Sequence, residues 1–290
     1  MTESVDSGAR SASAGRASGA IGAVDEATPI LRLRDVGKSF GPVQVLRDVN
    51  LTLPAGQVTA LVGDNGAGKS TLIKTISGIW MPDGGTLEWE GEPVAVSSPR
   101  AASALGIATM YQDLALCDNL DIVANMFLGR EEVGHAVLDE AKMELEAKQT
   151  LSDLSVTTVR SIRQLVGSLS GGQRQAVAVA RAVMQQAKLV IMDEPTAALG
   201  VSQTEMVLGL IETLAQRGIA VLVISHNLSD VFRVADRLAI LYLGQLVSEG
   251  PTSGYDTQSA VELITTGRLG SHTGADAHAA PGAAHNRAGN

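Results

Sequence analysis

Between about residues 30 and 268, short apolar runs rich in β-branched residues alternate with segments of helical periodicity. Val58 to Val62, Leu189 to Met192, Ile219 to Ser225 and Leu238 to Leu243 read as buried strands. Their alternation with helical patterns predicts a mostly parallel sheet. Between two of them, Val207, Leu210, Ile211 and Leu214 share a helical face, Ser202 and Glu205 have capping-box spacing, and Gly218 supplies a stop. That helix is expected to start at Ser202 and cover the sheet. From about Asp113 to Val166 the pattern is helical, with Met143, Ala147, Leu151 and Leu154 on one stripe and no convincing strand. It predicts a helical insertion, about residues 113–168.

Residues 1–29 are almost all Ser, Ala, Gly and Thr with scattered charges, and residues 269–290 repeat the pattern with Ala, Gly, His and Asn. Both are predicted disordered tails. His272, His278 and His285 lie in the second one at irregular spacing, which fits a solvated tail better than a metal site.

The 290 residues, 45% of them hydrophobic, suffice for a large core. No stretch approaches the roughly twenty apolar residues of a bilayer helix, and no basic segment followed by an apolar run opens the chain. Neither spanning nor secretion by that route is expected. A net charge of −9, from 22 basic and 31 acidic side chains, makes nucleic acid a poor partner, and 3% aromatics is too few for serial base stacking. Cys117 is the lone cysteine, so no intrachain disulfide or multi-cysteine zinc site can form, and a reducing compartment fits.

The candidate chemistry begins at Gly63-Asp64-Asn65-Gly66-Ala67-Gly68-Lys69-Ser70, which fits G-x-x-x-x-G-K-S/T after a predicted strand and before a helical Thr71 to Ser77. Glycines let successive N–H groups curl inward, the helix N-terminus adds partial positive charge, and Lys69 would reach the β/γ oxygens of a nucleotide. The Ser70 hydroxyl could ligate Mg²⁺ or merely cap the helix. The strand Leu189 to Met192 runs into Asp193 and Glu194, placing two carboxylates at a strand's carboxyl end. Asp193 would hold Mg²⁺ and Glu194 would orient and polarise the attacking water; the plain alternative is a solvated turn stopped by Pro195. His226, after the next strand, could bond a γ-phosphate or be structural. Leu169-Ser170-Gly171-Gly172-Gln173 opens an Ala/Val helix with Ser170 and Gln173 at capping-box spacing. It is either that helix start or a second anion site, with glycine N–H groups and the Ser170 hydroxyl free for a terminal phosphate.

With GDNGAGKS, LSGGQ and VIMDEP in this order, the chain resembles the nucleotide-binding subunits of ABC transporters over roughly residues 30–268. The resemblance implies a P-loop ATPase core with a mostly parallel sheet, an antiparallel β subdomain and an inserted helical subdomain. It also implies ATP and Mg²⁺ as ligands, Phe40 as the adenine-stacking aromatic, and Gln112 as the glutamine that meets Mg²⁺ and links to the helical subdomain. Two subunits would pair head to tail, each ATP lying between one protomer's loop, Gly63 to Thr71, and the other's Ser170, Gly171, Gly172 and Gln173. YQDLALCDNL, NMFLGRE, LSGGQRQAVAVARA and DEPTAALGV look most like the monosaccharide-import branch. That implies an ATPase homodimer at the cytoplasmic face of the membrane, separate permease subunits, indirectly an extracytoplasmic sugar-binding protein, and no nucleic acid. The alternative is an ABC-type ATPase acting in DNA repair or on ribosomes. One departure is Gly200, where many members carry an Asp that contacts the other active site; coupling between the sites is what it puts in question.

Overall fold

The structure, a computed structural model, describes residues 28–111, 113–134 and 137–269. Apart from residues 28, 29 and 269, the expected tails lie outside the described residues, as do the three tail histidines and Gln112.

In chain order, the hairpin β1 (Leu31–Phe40) and β2 (Val43–Leu53) leads to β3 (Val58–Val62), the phosphate loop and α1 (Lys69–Ile76). Next come β4 (Gly84–Trp89), β5 (Glu92–Val94), α2 (Pro99–Leu105) and β6 (Ile107–Met110). The middle third holds α3 (Ile122–Phe127), the two-residue strands β7 (Val133–Gly134) and β8 (Val137–Leu138), and α4 (Glu140–Asp153). After α5 (Gly171–Met184) the chain alternates through β9 (Leu189–Asp193), α6 (Val201–Gln216), β10 (Ala220–Ile224), α7 (Leu228–Val234) and β11 (Arg237–Tyr242). It then passes through β12 (Gln245–Pro251) to α8 (Thr257–Thr266).

Two sheets carry the fold. The central one has the order β12-β11-β3-β10-β9-β6, parallel at every pairing except that of β11 with β12. The other, β2-β1-β4-β5, is antiparallel. Central strands are almost wholly apolar, Thr59 of β3 being a buried exception, because both faces are covered. In β9, Leu189 and Ile191 join the core shared with the antiparallel sheet and α1, while Val190 and Met192 face the core formed with α3 to α6. In β10, Leu222 and Ile224 divide from Val221 and Val223 in the same way. A third core, under α7 and α8, takes Ala60, Val62, Leu238 and Ile240. Because β3, β10 and β9 pair in parallel, their carboxyl ends fall at one edge of the sheet and deliver the functional loops there.

Two expectations need correction. The helix containing Val207, Leu210, Ile211 and Leu214 starts before Ser202: Gly200 is its N-cap, with no side-chain cap bond, so Ser202 and Glu205 form no capping box. The middle third is also not purely helical. The β7–β8 hairpin interrupts it, with pairings Val133 to Leu138 and Gly134 to Val137, too short to produce a readable alternation. The stripe of Met143, Ala147, Leu151 and Leu154 is buried as its periodicity predicts.

Candidate functional site

The phosphate loop leaves β3 with almost no freedom. A Cβ on Gly63 would lie 2.3 Å from the Leu241 carbonyl oxygen, so only glycine lets the loop start against β11. Gly68 has φ +108 and backs onto Val45 and Leu46 of β2. As the N-cap of α1 it offers no side chain, leaving the first-turn N–H groups uncapped and directed at the loop. Ser70 is inside α1, at its second residue, so the helix-cap reading does not hold. The Lys69 ammonium donates to the carbonyl oxygens of Gly63 at 2.6 Å and Asp64 at 3.0 Å, closing the loop on itself. A cavity of about 390 Å³ opens here, lined by residues 64–71, Val45, Asp193, Glu194 and Ile224.

Asp193 ends β9 opposite Ile224 of β10, and the Glu194 N–H donates to the Ile224 carbonyl at 2.9 Å. Glu194 sits at φ +52, a left-handed conformation that costs a side-chain-bearing residue of order 1 kcal/mol, and that marks a turn fixed by its surroundings. Burial raises the Asp193 pKa above its ordinary value and Glu194 adds to the rise, while Lys69 and Lys74 oppose it. Burial lowers the Lys69 pKa, against Glu194, Asp64 and Asp193. The site therefore sets the half-buried Lys69 ammonium among the Asp64, Asp193 and Glu194 carboxylates, an excess of negative charge that a divalent cation would offset where a triphosphate enters.

The His226 Nδ1 lies 2.8 Å from Glu194 Oε2, and its side chain is 75% exposed, unlike a structural core histidine. Its turn is fixed on both sides. The Asn227 N–H donates to Ser225 Oγ at 3.0 Å, and the Asn227 side chain caps α7.

At α5 the capping box is formed: the Gln173 N–H donates to Ser170 Oγ at 3.3 Å and the Ser170 N–H to Gln173 Oε1 at 2.9 Å. The Ser170 hydroxyl accepts one bond there and keeps its own hydrogen to donate. The two glycines allow close packing within the chain. A Cβ on Gly171 would sit 2.5 Å from Leu199 Cδ2, and one on Gly172 would sit 3.0 Å from Met206 Cε. None of residues 170–173 lines the phosphate-loop cavity of its own chain. Gly171 instead borders a separate groove of about 350 Å³, shared with Glu194 and Leu199.

The structure thus brings Lys69, Ser70, Thr71, Asp193, Glu194 and His226 together and leaves the Ser170 segment apart. Phe40 ends β1, is 40% exposed, and meets Trp80 edge to face, so it is not ordinary core. Sequence reasoning passed over Val45, which lines the loop cavity. It also passed over Gln175, whose buried amide donates to the Pro195 carbonyl at 3.3 Å and braces the turn after Glu194. A glutamine directly before the apolar run Ala176 to Ala180 was the available signal for the second.

Comparison with known proteins gives one consistent result. The family model described as ABC transporter matches residues 46–197. The chain is 46% identical over 241 residues to the xylose/arabinose import ATP-binding protein XylG of Sulfolobus acidocaldarius, covering 83% of this chain and 96% of that one. It is 46% identical over 244 residues to the fructose import ATP-binding protein FrcA of Rhizobium meliloti, covering 82% and 94%. Among solved structures, it is similar to a nucleotide-free ATP-binding cassette from an ABC transporter, with a TM-score of 0.69 at 28% identity over 77% of this chain and 91% of that one. A second such cassette, in its ADP conformation, gives 0.68 at 27% identity over 82% and 95%.

Proposed function

The chain belongs to the ABC transporter ATP-binding family, and on that premise we propose that it is the ATP-hydrolysing subunit that energises import of a monosaccharide through separate permease subunits. The observation that carries the proposal is the convergence of Lys69, Ser70, Asp193 and Glu194 on one cavity at the carboxyl edge of a parallel sheet. The cargo class rests on relatives named for xylose, arabinose, fructose and ribose import. The alternative of an ABC-type ATPase acting on DNA or ribosomes gains no support from these relatives.

ATP would lie with its phosphates on the uncapped N–H groups of α1 and on Lys69, which exchanges its two loop carbonyls for phosphate oxygens. Ser70 and Asp193 supply the oxygen donors that suit Mg²⁺, and both border the cavity. Bound Mg²⁺ would add charge compensation to the β- and γ-phosphates. Glu194 orients and polarises the attacking water, and His226, whose Nδ1 lies 2.8 Å from the Glu194 carboxylate, is placed to bond the γ-phosphate beside it. Phe40 stacks on the base. Gln112 lies outside the described residues and keeps its place only through the resemblance.

Residues 170–173 do not line the phosphate cavity of their own chain, which supports the reading that Ser170 to Gln173 of one chain close over the ATP held by the other. The working unit is a head-to-tail homodimer, residues 30–268 forming the cassette and about 113–168 its helical part. Nucleotide favours the closed pair through its differential affinity for that state. No helix among the described residues is long and apolar enough to cross a membrane. Our reading places the subunit peripherally at the cytoplasmic face, with a permease and, indirectly, an extracytoplasmic sugar-binding protein.

The test is uptake of a panel of labelled pentoses and hexoses by cells lacking this chain. One monosaccharide should be lost, returning with the wild-type chain and not with Glu194→Gln. Unchanged uptake of every sugar would remove the cargo assignment.

A further inference from the structure

Phe40 stands at the end of β1 with 40% of its surface exposed, and a lone phenylalanine there would sample several rotamers. It is not left alone. The Trp80 ring lies 5.4 Å from it, centroid to centroid, at 79°. Trp80 is itself 40% exposed, whereas Trp89, the other tryptophan, is 5% exposed within the core. An aromatic kept at the surface against an exposed ring has a different part to play from one that fills a core.

Trp80 is fixed from two directions. Its N–H and that of Ile79 donate to the Lys74 carbonyl at 3.0 and 2.8 Å, tying it to the end of α1, the helix that begins in the phosphate loop. Three residues on, Asp83 stitches the same turn to β1. Its Oδ1 accepts from Lys38 Nζ at 2.7 Å, its Oδ2 from the Ser39 N–H at 2.6 Å, and its own N–H donates to the Gly37 carbonyl at 2.9 Å. Lys38, oriented by Asp83, lies 5.6 Å from the Phe40 centroid. Residues 37–40 and 80–83 thus form one clamped unit joining the helix that carries the phosphate site to the ring that takes the base.

We propose that Trp80, held in place by Asp83, is a positioning residue that presets the Phe40 ring for stacking on the nucleobase. The inference rests on the reading of Phe40 given above. Presetting removes rotamer entropy that base binding would otherwise have to freeze, so Trp80 acts on affinity for nucleotides carrying a base and leaves the triphosphate contacts alone.

The test compares ATP with inorganic tripolyphosphate, which has the phosphates and no base, as a competitor. Trp80→Ala should raise the KM for ATP about three- to tenfold, with kcat and the tripolyphosphate inhibition constant unchanged. Trp80→Phe should restore most of the loss, and Asp83→Ala should reproduce part of it. In a Phe40→Ala background, adding Trp80→Ala should change little. The proposal is overturned if Trp80→Ala leaves the KM for ATP as it was, weakens ATP and tripolyphosphate equally, or keeps its full effect without Phe40. If Phe40→Ala itself fails to separate ATP from tripolyphosphate, the base-stacking reading of Phe40 falls, and this inference with it.

Discussion

Replacing Glu194 by Gln separates what the carboxylate does for chemistry from what it does for charge. The amide keeps the shape beside His226, whose Nδ1 lies 2.8 Å from Oε2, and leaves the Glu194 N–H bond to Ile224 in place, so the turn at φ +52 should survive. Loss of a positioned general base typically costs about 10² to 10⁴ in rate, or about 3–5 kcal/mol of barrier. Binding should move the other way. Glu194 is among the charges that push Asp193 up, so its removal eases ionisation of that carboxylate. One negative charge is also withdrawn from beside a polyanionic nucleotide. At roughly 10 Å and an effective dielectric of about 20, each pair of unit charges repels by about 1.7 kcal/mol. The expected variant hydrolyses ATP at least a hundredfold more slowly yet binds it at least as tightly, accumulating as an ATP-loaded dimer. Phosphate release, measured alongside nucleotide binding and sedimentation, reads all three quantities. Wild-type turnover, or affinity lost in step with rate, would refute the reasoning.

Other consequences concern single groups. A Cβ on Gly200 meets no atom within 4 Å, and its φ of −75° suits any residue, so Gly200→Asp should cap α6 and raise stability by a few tenths of a kcal/mol, seen as a higher urea midpoint. A lower midpoint would contradict the geometry. Ser170→Ala should cost α5 about 1 kcal/mol through the lost cap, visible in the same unfolding experiment without nucleotide. An unchanged midpoint would show that the cap bond adds nothing. Because burial raises the Asp193 pKa, its ionised form weakens the nucleotide-free fold, by an amount that grows as pH rises from the ordinary 3.8 through the raised value. Asp193→Asn should therefore stabilise the nucleotide-free chain at neutral pH and lose that advantage on acidification, while weakening Mg²⁺-dependent ATP binding. Equal stability of the two chains at neutral pH would dispose of the burial argument.

The parts of the fold legible from residues alone were those where local pattern and tertiary role coincide. β3, β9, β10 and β11 could be read because burial on both faces gives runs that are apolar or, at Thr59, β-branched. β1 and β2 could not. Their pairing carries register shifts, at Leu33/Val36 and onward, and mixed burial blurs the period of two, so the antiparallel sheet entered only through resemblance. Ser202 and Glu205 misled because a capping box has a correct spacing at many places, whereas the start of α6 is set by the turn leaving β9. Within the site, the loop and the carboxylate pair are contiguous stretches and so were visible. The bond from Gln175 to Pro195 and the contact of Phe40 with Trp80 join segments 20 and 40 residues apart, and no local pattern encodes them.

The central claim is that each catalytic pocket is shared between two chains, and mixing two inactive variants tests it most directly. Lys69→Ala removes the phosphate ligand on one side, and Ser170→Arg obstructs the closing segment on the other. Combined in equal amounts, half the dimers would be mixed, each with one intact pocket and one doubly broken, so single-turnover hydrolysis should return to about a quarter of wild type. No gain on mixing, with both chains folded and shown to associate, would contradict the account and place the whole pocket within a single chain.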